Sequence, residues 1–233
     1  MGSANVDPAV LEEILAGSPA ETLAPLTVDQ YHEMTAAGIV EEGEPVELIR
    51  GYRIRKNRAK RGEDPTTHGH DHAKGVRNLE RLGRRLEPLG FHMRVQLPVT
   101  VRPNSEPEPD GAVTRGPENA FDRAHPEPPD VLVAVEVADS SLRRDRGKAA
   151  LYSAAGIPVY WIVNIPDGQI EIYDQPIPAQ ERYARRVDRR RGETVRIDLG
   201  PAGGVDVAVN ELLPPAEPAS PAPHVPPIPP TTA

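Results

Sequence analysis

One stretch constrains this chain more than any other: "DVLVAVEVADSS", Asp130 to Ser141. A strand with one wet face alternates polar and apolar residues, whereas Val131 to Ala138 is apolar on both, the pattern of a central strand covered from two sides. Glu136 interrupts it. An unpaired carboxylate in such a place costs several kcal/mol or has its pKa raised until it takes a proton. A covered sheet with a charged intrusion therefore requires a compensating group.

The elements around this strand read in order as helix (72–88), strand (92–101), strand (110–115), strand (131–138), helix (141–155) and strand (159–165). Val76, Leu79, Leu82 and Leu86 recur at helical spacing, and Pro88-Leu-Gly90 stops that helix. Ser140 or Ser141 can cap the second helix, Leu151 and Tyr152 lie on its inner side, and Gly156 closes it. Upstream, "LTVDQYHEMTAAGIV" predicts a helix capped by Thr27 and ended by Gly38, and "EPVELIRGYRIRKN" predicts a hairpin with Glu47 on its first strand and Gly51 at the turn. "VDPAVLEEILAG" predicts a further N-terminal helix. Strands follow at "QIEIYD", "ERYARRV", "ETVRIDL" and "VDVAV". From Pro214 the composition is that of a disordered polyproline-type tail, a solvated terminus or a ligand for an aromatic groove.

If strands 110–115 and 131–138 pair antiparallel, the start of the first meets the end of the second, which brings Asp110 to the neighbourhood of Glu136. Two carboxylates there repel unless a cation joins them. Hard oxygen donors suit Mg²⁺ or Mn²⁺. "HGHDH", with His68, His70 and His72, offers nitrogen ligands as well, though a solvated loop with one helix-start histidine accounts for it more simply.

Composition removes whole classes of function. There is no cysteine, which excludes disulfides, thiol catalysis and zinc–thiolate sites and fits a reducing compartment. "MGSANVDPAVLEEILAGS" lacks a basic start and a long apolar run, and no stretch reaches the roughly 18 apolar residues of a membrane span. A soluble cytoplasmic protein is expected. The formal net charge of -8 argues against indiscriminate nucleic-acid binding. Basic segments at Arg50 to Arg61 and Arg185 to Arg191 could follow a phosphate backbone or be solvated strand ends and loops.

"PEPD" (Pro107 to Asp110), "EVADSSLRRDRGK", "LYSAAGIPVYWIVN" and the upstream "VELIRG" together resemble the Uma-two family of the restriction-endonuclease-like PD-(D/E)XK superfamily, over about Val46 to Asp174. The resemblance implies an α/β fold, a mixed β-sheet flanked by α-helices, and metal-dependent hydrolysis of DNA phosphodiester bonds with Mg²⁺ or Mn²⁺. With it go a domain over 46–213, an N-terminal helical extension (1–45) and the Pro-rich tail (214–233). It assigns Asp110 and Glu136 as metal ligands, with the Val137 carbonyl as a further one. Where many superfamily members carry lysine, two positions after Glu136, this chain has Ala138. Lys148, four residues before Tyr152, fits the place of a lysine moved to the following helix. Glu47 matches a family glutamate that supports the metal or positions water. Asp139 and Ser140 match residues that lead the helix, and His72 a histidine at the start of the first core helix. A homodimer is left open. The alternative reading is an impaired nuclease fold that serves as a nucleic-acid or protein binding module, motivated by Ala138, the short "DRGK" spacing and the proline tail.

Overall fold

The computed structural model describes residues 24–41, 43–55 and 69–215. The predicted helix "VDPAVLEEILAG", His68, Lys56, Lys60 and the tail beyond Pro215 lie outside the described residues. Helix α1 (Val28–Ala36) starts on a capping box: the Thr27 hydroxyl accepts from the Gln30 N–H while Gln30 accepts from the Thr27 N–H. Strands β1 (Val46–Ile49) and β2 (Tyr52–Arg55) form the expected hairpin. Its two turn residues, Arg50 and Gly51, both have positive φ, which matches the right-handed twist of the strands on either side.

Helix α2 (His70–Leu86) precedes β3 (Phe91–Arg94), β4 (Gly111–Arg115) and β5 (Val131–Ala138); helix α3 (Leu142–Ala154) then crosses to β6 (Val159–Asn164). Strands β7 (Gln169–Ile177) and β8 (Arg182–Arg190) complete a six-stranded sheet in the order β3-β4-β5-β6-β7-β8. β5 and β6 run parallel, joined by α3, and every other neighbouring pair is antiparallel. The sheet is mixed and flanked by helices, as expected. A second hairpin, β9 (Thr194–Asp198) with β10 (Gly204–Ala208), and the short helix α4 (Val209–Leu212) end the described chain.

Both faces of β5 are buried along its whole length. On one side Val133, Val135 and Val137 meet Val76, Leu79, Leu82 and Leu86 of α2, with Trp161 and the β9–β10 hairpin. On the other Ala134 and Ala138 meet Leu151 and Tyr152 of α3 with Tyr160 and Ile162. The alternation puts Glu136 on the α3 side. α2 lies tight against the sheet because Gly75 faces it: a Cβ there would stand 2.6 Å from Cγ1 of Val137.

Two local expectations are corrected. The strand predicted over 92–101 stops at Arg94, because Gln96 takes a positive φ and Pro98 follows; Val99 and Val101 are buried in a loop that bonds to Pro107 and Ser105 instead of to a neighbouring strand. Neither Ser140 nor Asp139 caps α3. Ser141 occupies the N-cap position without capping, and its hydroxyl donates to the carboxylate of Asp145.

Candidate active site

The charged intrusion has its compensation. The β4–β5 pairing sets Gly111 opposite Val135, so Asp110 comes to the end of β5, where its Oδ2 accepts from the Val137 N–H at 2.8 Å. Glu136 points from the same strand toward α3. There the ammonium of Lys148 donates to Oε1 of Glu136 at 2.9 Å and to Oε2 of Glu47, from the separate β1–β2 hairpin, at 3.0 Å. All three are shut from water: Glu47 is 2% exposed, Glu136 4% and Lys148 8%. Such a cluster persists only because each charge is paired. The Glu108 N–H also donates to Glu47, at 3.3 Å.

Asp110, Glu136, Glu47 and Lys148, drawn from four elements, thus come together, and Ala138 is no gap in the cluster because Lys148 reaches Glu136 from α3. The Val137 carbonyl is engaged from the far side of the strand: Nδ1 of His72 lies 2.8 Å from it, and Nε2 of the same ring lies 3.3 Å from Oδ1 of Asp110. Sequence reasoning set His72 at a helix start without joining it to the carboxylates. It also passed over Tyr152, whose buried hydroxyl donates to Oε1 of Glu136 at 3.2 Å. The signal for Tyr152 was present, since it stands four residues after Lys148 and so on the same helical face. His70 is exposed on the first turn of α2.

The electrostatics are uneven. Burial raises the pKa of Glu136 to about 8; Lys148 lowers it, but Asp110, Asp145 and Glu47 add to the rise. Burial also acts against Asp110, yet its carboxyl is held below the usual range by His72, the Val137 N–H and Lys148. Lys148 resists burial through Glu136 and Glu47 and stays charged. Asp145, buried beside Ser141, is pushed up by desolvation. One end of the sheet therefore holds four carboxylates against a single buried ammonium.

Among the described residues no three His, Asp or Glu side chains are gathered into a finished metal cage. The donor set nevertheless fits a divalent cation. Its oxygens are hard, Lys148 stands in as a cation between two of the carboxylates, and the raised pKa of Glu136 marks negative charge still uncompensated.

The basic segments divide. Arg185 pairs with Asp174, Arg186 with Asp188 and Glu171, and Arg189 with Glu193, so much of the second segment is neutralised where it stands. In the first, Arg50 pairs with Glu181 and Arg53 with Glu44, and residues 56–61 lie outside the described residues. A cavity of 310 Å³ between α2 and α4, lined by Lys74, Arg81 and Arg85, contains none of the carboxylates of the site. Among the described residues no helix is long and apolar enough to cross a membrane.

Residues 28–210 match the model of the Uma2 family, described as "Putative restriction endonuclease". Among solved structures, the chain is similar to one described as a "putative nuclease belonging to DUF820" from Anabaena variabilis ATCC 29413. The two share 14% sequence identity with a TM-score of 0.59, over 81% of this chain and 97% of the other. At that identity the likeness shows the fold. No curated protein matches the chain.

Proposed function

The chain belongs to the Uma2 family, and on that premise we propose that it is a divalent-cation-dependent endonuclease that hydrolyses phosphodiester bonds of DNA. The observation that carries the reading is the buried ammonium of Lys148, 2.9 Å from Glu136 and 3.0 Å from Glu47, at the strand end where Asp110 also sits. A lysine beside two acidic residues at the edge of a covered sheet suits phosphoryl transfer, which needs positive charge on the phosphoryl oxygens and an oriented water.

Asp110, Glu136 and the Val137 carbonyl would hold Mg²⁺ or Mn²⁺. When bound, such an ion supplies a Lewis acid for a phosphoryl oxygen and lowers the pKa of water. The chain's own groups do the rest. Lys148 donates hydrogen bonds toward the attacking water and the oxygen on which charge grows. Glu47 holds that ammonium from the opposite side, fixing its direction and keeping it charged. Tyr152 and Lys148 both bond Oε1 of Glu136, which sets the rotamer of the carboxylate. The binding-module reading drew its force from Ala138, and the presence of Lys148 at Glu136 weakens that motive.

Incubation of supercoiled plasmid with the full chain tests the proposal. Nicked or linear product is expected with Mg²⁺ or Mn²⁺ and none with EDTA. An intact plasmid with both ions, under conditions where the chain is folded, would favour the binding module.

A further inference from the structure

His72 has no part in the chemistry described so far, yet it is built into the site. The close seat of Gly75 against Val137 brings the first turn of α2 to the end of β5, and His72 is on that turn. The Val137 carbonyl can only accept, so the ring nitrogen 2.8 Å away, Nδ1, carries a proton. In the neutral ring the lone pair is then on Nε2, and Nε2 faces Oδ1 of Asp110 at 3.3 Å. Two ligand atoms held at a right angle by one small cation, with bonds of roughly 2.1 Å, stand about 3 Å apart. A histidine whose other ring nitrogen donates to a backbone carbonyl is the usual form of a metal-ligating imidazole, because that bond fixes both tautomer and ring plane.

Resting on the nuclease reading for the presence of a cation, we propose that His72 binds it directly through Nε2, next to Asp110, with Glu136 completing the set. Oε1 of Glu136 is taken by Lys148 and Tyr152, which leaves its second oxygen for the ion. The Val137 carbonyl then acts through His72 and does not itself serve as a ligand. The chemical class of the ion changes with this assignment. Oxygen donors alone suit Mg²⁺, whereas an added imidazole favours a borderline transition-metal ion such as Mn²⁺ over Mg²⁺. A protonated His72 paired with Asp110 would satisfy the same two contacts without any metal, and the experiment separates the two cases.

The full chain is loaded with Mn²⁺, and electron spin-echo modulation from nitrogen is recorded beside calorimetric titration. Nitrogen coupling of the strength of a directly bound imidazole is expected in the wild type and in His70→Ala, and is lost in His72→Ala. Loss of a second-shell partner costs 10–100-fold in metal affinity, so loss of a ligand should weaken Mn²⁺ by at least about tenfold, and Mg²⁺ by less. If His72→Ala does not fold, His72→Gln, which keeps a donor for the Val137 carbonyl, gives the same comparison. Bound Mn²⁺ without nitrogen coupling in the wild type, or coupling that persists in the His72 variants, overturns the proposal and leaves the nuclease reading standing. No Mn²⁺ binding by the folded wild type overturns the metal premise and the proposal with it.

Discussion

Glu136 and Glu171 lie in one row across the sheet, registered through Ile162 between them, and both are buried on the face that α3 covers. Their surroundings are opposite. Glu171 accepts from the guanidinium of Arg146, from the Asn164 amide and from the Tyr173 hydroxyl, with Arg186 at 3.2 Å. Burial acts to raise its pKa, but those donors prevail and hold it below the usual carboxylate range. Glu136 has one ammonium and one hydroxyl, and three further carboxylates push it up to about 8. A buried charge by itself does not mark a site. Glu171 is saturated and ties α3 to β7, whereas Glu136 is left short of positive charge, and that shortfall is what a cation would fill.

The largest effect should come from Lys148→Ala. Loss of one preorganised donor to a transition state costs about 10²–10³ in kcat, so plasmid cleavage should fall by that factor, while Mn²⁺ affinity by calorimetry is undiminished because the lysine is no ligand. Wild-type cleavage in the variant would end the distinction between the two glutamates on the enzymatic side.

Glu171→Ala should instead damage the fold. Breaking a buried pair costs roughly 3–5 kcal/mol, and because Arg146 and Arg186 are partly exposed the expected loss is about 2–3 kcal/mol, a fall in Tm of about 5–10 °C. Thermal unfolding checks this, and Mn²⁺ binding below the transition should not change.

Glu136→Gln should show the reverse. Without metal the variant should be as stable as the wild type or up to about 1 kcal/mol more stable, because like-charge repulsion is removed, and it should no longer bind Mn²⁺. A variant that unfolds as readily as Glu171→Ala, or that still binds Mn²⁺, would mean the carboxylate is as structural as its neighbour.

The smallest effect is a pH slope. With its folded pKa raised to about 8, Glu136 binds more proton in the native state than in the unfolded state between about pH 4.5 and 8. Its contribution therefore lowers stability as pH rises through that window, by up to about 1.4 kcal/mol per unit. Glu171, with its pKa lowered, contributes stability above the ordinary glutamate range that is lost as pH falls below it. Denaturant melts of metal-free protein at several pH values should show a steeper decline between pH 5 and 8 in the wild type than in Glu136→Gln. Equal slopes would remove the contrast.

What was legible in the sequence was local or periodic. Thr27 with Gln30, Gly51 in its hairpin turn, the α2 repeat and the two-faced β5 each follow from spacing within a few residues. The meeting of Asp110 with Glu136 followed from hairpin geometry. The strand end at Arg94 did not, because Val99 and Val101 are apolar for a loop that happens to be buried, and the pattern cannot tell that from pairing. Nor did the contacts of His72, because they depend on how closely α2 sits on β5, a distance set by the missing side chain of Gly75. Lys148 was placed through family resemblance; spacing alone would have left it a surface lysine. The contrast between Glu136 and Glu171 was invisible, since both are single acidic residues in apolar strands and differ only in partners from other elements.

The bond between Lys148 and Glu47 spans 101 positions of the chain, and Glu47 belongs to a two-stranded sheet of its own. No shorter piece of the polypeptide contains both ends of that bond. A product truncated before α3, or a chain whose hairpin has not docked, would hold its acidic residues without the lysine that makes them useful. Cutting ability would then arrive only with the finished tertiary structure, a built-in safeguard for a molecule whose half-made forms share a cell with the genome.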